Sequence, residues 1–199
     1  MATSRPLQAP PGVILAGGRA SRMGGGDKGL RPFRGGTLLG AVAERLAPQV
    51  AALALNAGGD PARFAALGLP VIPDPVPGQP GPLAGVLAAI DWAAARGADC
   101  VVTVPCDTPF LPGDLVPRLI LAGDGGLAIA ASGGRIHPTA ALWPVALRED
   151  LSATLARGER KVAAFTTRHH AAVAEFPLTA PDGFANANTP ADLAALETP

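Results

Sequence analysis

The apolar positions of this chain fall into two alternating patterns, short uninterrupted runs and sets at helical spacing. Val13, Ile14 and Leu15 form one run, and residues 100–104 form another. Runs without polar alternation are typical of strands covered on both faces of a parallel sheet. Residues 37–46 instead carry apolar side chains at helical spacing, and Pro48 ends that pattern. The first run is therefore predicted to be a central strand followed by a crossover helix.

The same alternation continues along the chain and predicts the fold class. Further strands are predicted at 50–55, 69–72, 127–131, 139–143 and 171–176, and helices at 60–67, 82–92, 114–121, 144–157, 159–167 and 189–197. Strands alternating with helices indicate an α/β protein with a three-layer, Rossmann-like, mostly parallel doubly wound sheet. A disordered lead-in is expected at 1–11, before a single domain at 12–199.

A glycine-rich, basic loop follows the first strand. Its glycines permit positive φ and let backbone N–H groups converge on an anion: Gly17, Gly18, Gly24, Gly25, Gly26 and Gly29. Arg19, Arg22 and Lys28 add the charge that a polyphosphate needs. A P-loop requires Ser or Thr after Gly-Lys, but Lys28 lies between Asp27 and Gly29. A dinucleotide fingerprint is also disfavoured, because the loop is longer and carries three cations. Phosphate binding is predicted, with a flexible surface loop as the alternative.

The charge and composition of the chain indicate which class of ligand this loop could bind. The 199 residues carry a formal net charge of zero, which gives no support for a nucleic-acid or membrane partner. Charge is nevertheless uneven, since Asp27 is the only acid among residues 1–43, against six Lys and Arg. This local positive field suits an anionic small molecule. Two cysteines, Cys100 and Cys106, are too few for a disulfide framework, so a cytoplasmic, reducing compartment is expected.

Three polar side chains stand where predicted strands end. Asn56, Asp74 and Asp107 each follow an aliphatic run, and the carboxyl ends of strands form the ligand crevice of an open α/β sheet. Local alternatives stay open for all three. Asn56 could open an Asx turn, Asp74 could be a turn residue before Pro75, and Asp107 could be a turn or N-cap carboxylate.

These spacings resemble the signature of nucleotidyltransferases, a strand followed by L-A-G-G-x-x-x-R-M-G and D-K. Here the signature occupies residues 15–18, 22–24 and 27–28. P-G-P-L-A-G at 80–85 and N-x-N-T-P at 186–190 further resemble the molybdenum cofactor guanylyltransferases, and the resemblance extends over 12–197. Ala20 stands where that family commonly has Ser, with Ser21 beside it. The resemblance implies a fold of the nucleotide-diphospho-sugar transferase type.

The resemblance also implies roles for individual residues. It places Lys28 at the α-phosphate region of the nucleotide, Arg22 at the β/γ end, and Asp107 on a Mg²⁺ ion that bridges phosphate oxygens. The implied nucleotide contacts are Leu15, Ala16, Gly17, Gly18, Lys28, Asn56, Asp74 and Asp107. A carboxylate such as Asp74 could accept hydrogen bonds from N1–H and the 2-amino group of guanine.

Acceptor binding is implied at the C-terminal part of the chain. Arg160 and Lys161 precede a predicted helix and could hold a terminal phosphate there, and Asn186 and Asn188 match the N-x-N-T-P element. The alternative for the second element is an N-cap, which would explain Thr189. No Ser-His-Asp or Cys-His arrangement is apparent, so hydrolysis through a covalent intermediate is not indicated.

The resulting hypothesis is transfer of GMP from GTP to the terminal phosphate of molybdopterin, with release of pyrophosphate. The alternatives are a cytidylyltransferase of the same cofactor, a sugar- or polyol-phosphate nucleotidyltransferase, and a non-catalytic GTP-binding module for cofactor delivery. The resemblance implies GTP and molybdopterin as substrates and Mg²⁺ as cofactor. Other cofactor-biosynthesis proteins and acceptor molybdoenzymes are candidate partners.

Overall fold

The computed structural model of this chain describes residues 9–17, 27–75 and 81–197. The strands are β1 Gly12–Leu15, β2 Pro32–Phe33, β3 Gly36–Thr37, β4 Leu53–Asn56, β5 Val71–Ile72, β6 Cys100–Pro105, β7 Ala128–Ser132, β8 Arg135–Pro144 and β9 Ala172–Phe176. The α-helices are α1 Leu38–Leu46, α2 Pro82–Ala94, α3 Leu115–Gly123, α4 Arg148–Ala156, α5 Val162–Arg168 and α6 Pro190–Glu197. Short 3₁₀ helices occupy Lys28–Leu30, Ala47–Gln49, Pro61–Leu67 and Val145–Leu147.

Within the described residues, seven strands form one sheet in the order β5-β4-β1-β6-β8-β7-β9. β1 pairs in parallel with β4 and β6, β4 with β5, and β7 with β9. Only β8 runs antiparallel to its neighbours β6 and β7 among these strands. The prediction of a mostly parallel α/β sheet with β1 near its centre is confirmed.

Helices cover both faces of the sheet. One core contains Ile14 with apolar side chains of α1 and α3, and the other contains Val13 and Leu15 with side chains of α2, α4 and α5. All three strand residues are buried, because neighbouring side chains point to opposite faces and each face meets a helical layer. This two-sided burial is the reason that the first strand carries no polar alternation.

Local signals account for several helix boundaries. Thr37 caps α1, since its hydroxyl accepts a hydrogen bond from the Gly40 N–H at 3.0 Å. Pro82 occupies the first turn of α2, where its missing N–H leaves no intrahelical bond unmade. The 3₁₀ helix Pro61–Leu67 ends at Gly68 in the left-handed conformation. Among the described helices, none is long and apolar enough to cross a membrane.

Two segments of the chain form strands that were not predicted. β2 and β3 form an unpredicted hairpin, whose turn residues Arg34 and Gly35 both have positive φ. The segment 135–138, expected to connect two strands, belongs to β8. The ladder between β7 and β8 shifts register, so that Ala130 pairs with His137 although Ile129 pairs with Ala141. This bulge turns part of β8 out of the regular ladder.

A disordered lead-in was predicted at 1–11, and residues 1–8 of it lie outside the described part of the chain. Pro10 and Pro11, at its end, are buried. Their carbonyl oxygens accept hydrogen bonds from the N–H groups of Ala51 and Val102, at 3.0 and 2.9 Å. These two residues therefore belong to the folded part of the chain.

We predict that Thr103→Val destabilises the protein by about 1–3 kcal/mol, because a buried donor would lose its partner. The fully buried Thr103 hydroxyl accepts a hydrogen bond from Trp143 Nε1 at 2.8 Å and donates to the Thr139 carbonyl at 2.9 Å. Valine has the same shape but cannot make either bond. Urea denaturation measures the change, with Thr103→Ser as the comparison that keeps the hydroxyl. Equal stability of the valine variant and the wild type would contradict this account.

Candidate active site

A cleft of about 270 Å³ lies at the carboxyl ends of β1, β4, β5 and β6. Each strand ends in the same place because all four run in parallel. The lining residues are Leu15, Gly17, Lys28, Asn56, Asp74, Gly81, Pro82, Pro105, Cys106, Asp107 and Thr139. Six positions singled out in the sequence, at 15, 17, 28, 56, 74 and 107, thus surround one cavity.

Lys28 stands between two hydrogen-bond acceptors at one side of the cleft. Its ammonium group forms a short ion pair with Asp107 Oδ2 and donates a hydrogen bond to Asn188 Oδ1 at 2.6 Å. The side chains of Lys28 and Asp107 are only 15% and 13% exposed. Three segments that are far apart in the sequence therefore meet at one cationic group.

The backbone around Lys28 is fitted closely to the end of β6. A Cβ added at Gly29 would lie 3.2 Å from Leu39 Cβ and 3.5 Å from Cys106 Cβ, so glycine permits the approach. Burial raises the pKa of the Cys106 thiol to about 12, and the Asp107 carboxylate acts in the same direction. The thiol therefore stays protonated near neutral pH and is a packing group.

Asn188 reaches the cleft because the preceding segment is tied to Asp107. The Ala187 N–H donates to the Asp107 carbonyl at 3.1 Å. Thr189 caps α6 by accepting from the Asp192 N–H at 3.1 Å, while Asp192 Oδ2 accepts from the N–H groups of Asn188 and Thr189. The N-cap alternative thus holds for Thr189, and it leaves the side chain of Asn188 available for Lys28.

Asn56 and Asp74 form the opposite side of the cleft. The Asn56 amide is buried and donates to the Ile72 carbonyl at 3.2 Å and to Asp74 Oδ1 at 2.9 Å. Both contacts join the end of β4 to the end of β5 and the residues after it. They are not the contacts of an Asx turn in the loop that follows Asn56. A buried amide held in this way fixes the orientation of the Asp74 carboxylate.

The remaining nucleotide positions are placed as follows. Ala16 is buried, and its N–H already donates to the Asn56 carbonyl at 2.9 Å. Gly17 lies in the cleft beside the Asn56 side chain. Gly18 and Arg22 lie outside the described residues, as do Arg19 and most of the glycines of the loop.

The predicted acceptor residues lie farther out. Arg160 and Lys161 are exposed and directly precede α5, and Lys161 occupies its N-cap. The Arg160 Cβ is 4.0 Å from the point where a Cβ on Gly81 would lie, so Arg160 stands at the rim of the cleft. Asn186 is partly buried in the segment that leads to Asn188.

A cluster of Ser132, His137 and Asp182 was not predicted. Ser132 Oγ lies 2.9 Å from His137 Nε2 and 3.3 Å from Asp182 Oδ1, and the His137 ring stacks on Phe184 at 4.4 Å. Burial lowers the pKa of His137, Arg135 acts in the same direction, and Asp182 opposes both. Here the serine lies between the other two groups and is itself buried, unlike a hydrolytic triad. The cluster fixes the segment that continues to Asn188.

Comparison with known proteins identifies the family. A protein-family model described as "MobA-like NTP transferase domain" matches residues 12–173 of this chain. A protein of Cereibacter sphaeroides (strain ATCC 17029 / ATH 2.4.9), named molybdenum cofactor guanylyltransferase, is 58% identical over 94% of this chain and 95% of its own. One of Rhodopseudomonas palustris (strain BisB5) with the same name is 56% identical over 95% of this chain and 93% of its own. The chain belongs to the MobA-like NTP transferase family.

Solved structures agree with this fold. The crystal structure of a molybdopterin-guanine dinucleotide biosynthesis protein A from Archaeoglobus fulgidus has a TM-score of 0.70 at 24% identity, and covers 94% of this chain and 96% of its own. A protein from Aquifex aeolicus reaches a TM-score of 0.74 at 18% identity, with coverages of 89% and 92%. At these identities the likeness supports the MobA-like fold alone.

Two residues at or beside this MobA-like cleft were not among the predicted site residues. Thr139 lies in it because β8 bulges there, and a bulge has no reliable sequence signal. Gly85 lies behind Asn56, and the P-G-P-L-A-G element was the available signal for it. A Cβ at Gly85 would overlap Asn56 Oδ1 and lie 3.0 Å from Leu15 Cδ2. The last glycine of this element is therefore required by the buried amide.

We predict that Gly85→Ala weakens GTP binding by about tenfold or more, because the added methyl group displaces Asn56 and with it Asp74. Alanine would otherwise favour helix α2 by about 1 kcal/mol. Isothermal titration with GTP measures the effect. Gly58→Ala is the matched control, since a Cβ there would meet no atom within 4 Å. Wild-type affinity of the Gly85 variant would contradict the proposed fit.

Proposed function

We propose that this protein transfers GMP from GTP to the terminal phosphate of molybdopterin and releases pyrophosphate. The observation that carries the proposal is the convergence of Asp107 and Asn188 on Lys28, which lines a cleft at the strand ends. Family membership and the names of relatives at 47–58% identity support guanylyl transfer to the molybdenum cofactor. The product is the guanine dinucleotide form of the cofactor.

The reaction demands positioning and charge neutralisation more than covalent chemistry. An oxygen of the acceptor phosphate attacks the α-phosphorus of GTP, and the bond from that phosphorus to the bridging oxygen of the β-phosphate breaks. A phosphate monoester with a second pKa near 6 is largely ionised at pH 7, so the attacking oxygen needs no general base. This agrees with a described cleft whose charged groups are Lys28, Asp74 and Asp107.

Lys28 is proposed to donate hydrogen bonds to the α-phosphate oxygens, where negative charge changes as the bond to the leaving group breaks. Arg22 is proposed at the β/γ end, and the backbone at Leu15, Ala16, Gly17 and Gly18 beside the nucleotide. Lys28 is already turned into the cleft by Asp107 and Asn188, which reduces the reorganisation needed when GTP binds.

The groups around Asp107 fit a divalent cation. The Asp107 carboxylate and the Asn188 amide oxygen face a single positive charge, the Lys28 ammonium, so two hard oxygen donors converge there. Among the described residues, no group of three or more His, Cys, Asp or Glu could hold a metal ion. The two oxygen ligands fit Mg²⁺, because this ion takes few protein oxygens and completes its shell with phosphates and waters. Bound Mg²⁺ would neutralise charge on the phosphates.

Base recognition is proposed at Asn56 and Asp74. Asn56 donates one hydrogen bond to Asp74 Oδ1 at 2.9 Å, which leaves acceptor sites on both carboxylate oxygens for two donors of the ligand. Guanine presents N1–H and a 2-amino group as neighbouring donors, whereas cytosine presents a single 4-amino group. A fixed carboxylate at this position therefore favours guanine.

Acceptor binding is proposed at the opposite rim. Arg160 stands next to Gly81 at the cleft, and Lys161 begins α5, so both can approach an anionic group that enters from that side. Asn186 and Asn188 are proposed to contact the acceptor from the C-terminal segment. Other cofactor-biosynthesis proteins and acceptor molybdoenzymes are proposed as partners, and the cytoplasm as the location, in keeping with two unpaired cysteines.

We predict that GTP binds in preference to CTP, ATP and UTP, and that pyrophosphate is released only when Mg²⁺, GTP and molybdopterin are all present. Isothermal titration measures the first and a pyrophosphate assay the second. Preference for CTP would indicate the cytidylyl branch. Release with a sugar phosphate would indicate a sugar nucleotidyltransferase, and GTP binding without release would indicate a delivery module.

Asp107→Asn is the control that tests the metal assignment in the same assay. Activity that depends on Mg²⁺ should fall by orders of magnitude, because an amide holds the cation weakly. A loss of only a few fold, on the order of 1 kcal/mol in the barrier, would contradict the role given to Asp107.

We predict that Lys28→Ala lowers kcat by about 10²–10³-fold and changes GTP affinity far less, because its charge acts mainly as the bond to pyrophosphate breaks. Steady-state kinetics and isothermal titration give the two quantities. Lys28→Arg keeps the charge and should retain more activity. Equal losses in binding and rate would contradict a role specific to the transition state.

A further inference from the structure

Asp27 is paired by an arginine from another part of the chain. Its carboxylate Oδ2 lies 2.5 Å from Arg63 Nε, and the two side chains are 27% and 29% exposed. Asp27 directly precedes Lys28 and is the only acid among residues 1–43. Arg63 therefore neutralises the carboxylate that adjoins Lys28 in the sequence.

The guanidinium of Arg63 is held firmly before it meets Asp27. It donates to the Asp60 carbonyl at 2.6 Å and to the Gly58 carbonyl, and it lies over the buried Phe64 ring at 4.5 Å. The loop around it allows little else, because a Cβ on Gly59, whose φ is +75°, would lie 2.9 Å from Arg63 Nη1. The loop that leaves β4 is thus shaped around this group.

The Arg63–Asp27 pair connects the two sides of the cleft. Arg63 belongs to the 3₁₀ helix that follows β4 and Asn56, while Asp27 begins the turn that carries Lys28. The backbone of Asp27 is extended, at φ −84° and ψ 122°. Fixing the Asp27 side chain therefore also fixes the direction in which the chain enters Lys28.

Two consequences would follow from loss of Arg63. The turn that carries Lys28 would lose its contact with the loop after β4. The Asp27 carboxylate would then lack a partner and would lie next to Lys28 in the chain. That carboxylate would attract Lys28 away from Asp107. Arg63 itself is absent from the lining of the described cleft.

We infer that Arg63 is a positioning residue for the transfer reaction: by holding Asp27, it sets the place of Lys28. The inference rests on the proposed function, because Lys28 is taken as the group that contacts the α-phosphate. A single ion pair that is partly open to solvent contributes little to global stability, so we expect the effect in catalysis and not in folding.

The test is a double-mutant cycle with Arg63→Gln, Asp27→Asn and the combined variant, using pyrophosphate release and GTP titration. Arg63→Gln should lower kcat on the order of 10–100-fold, as expected for misplacement of a catalytic group, with GTP affinity and Tm nearly unchanged. Asp27→Asn should lose less, since it removes the stray charge along with the attachment. The combined variant should be no slower than Arg63→Gln, because the two changes break one interaction.

Arg63→Lys and Arg148→Gln complete the design. Lysine keeps the positive charge but lacks the planar guanidinium group, so Arg63→Lys should retain part of the rate that Arg63→Gln loses. Arg148 forms a comparable ion pair with Asp91 at 2.6 Å, away from the cleft, and its loss should leave the rate unchanged. The inference would be overturned if the kcat loss of the combined variant equalled the product of the two single losses. Weaker GTP binding at constant kcat would also overturn it. So would full activity of Arg63→Gln. A wild-type protein that releases no pyrophosphate would overturn the proposed function and this inference with it.

Discussion

The contact of Lys28 with Asp107 and Asn188 is the interaction on which the site depends. It joins residues 79 and 160 positions apart in the sequence, and it requires β1 to lie beside β6 and the C-terminal segment to return to the same edge. A largely buried ammonium and carboxylate lose hydration, and each compensates the other. The pair is thus a poor source of stability but a good way to hold two charges ready for a triphosphate and a cation.

Close packing around small residues keeps this charged edge in place. Gly29 allows the Lys28 turn to approach Cys106, and Gly85 allows Asn56 to remain buried behind Asp74. Both positions have ordinary φ, so the requirement is for space and not for an unusual backbone conformation. Gly29 and Gly85 therefore act through close packing and not by presenting N–H groups to an anion. They let the sheet and helix α2 come close enough for polar groups to meet.

The layered fold could be predicted from the sequence because its strands are aliphatic on both faces, and two-sided burial leaves a continuous apolar run. The residues at strand ends could be predicted for the same reason, since parallel strands end at one edge. The β2–β3 hairpin could not, because strands of two residues have no periodicity and the turn uses Arg34 at positive φ. Nor could the Ser132–His137–Asp182 cluster, which depends on a register shift in β8. The contact between Arg63 and Asp27 joins two loops, and neither loop has a pattern that points to the other.

The element that presents Asn188 is attached differently from the rest of the site. No residue of α6 is buried, whereas β1 and β6 are almost wholly so. The helix is held by Leu193 and Leu196 against the cluster around Phe33 and by Arg34, which donates to the Leu196 carbonyl at 3.2 Å. Few buried apolar contacts mean a low free energy of local opening. Asp107 therefore directly follows a buried strand, whereas Asn188 precedes a helix that can separate from the fold at lower cost. Such an arrangement lets the segment that carries Asn188 move while the end of β6 at Asp107 stays fixed.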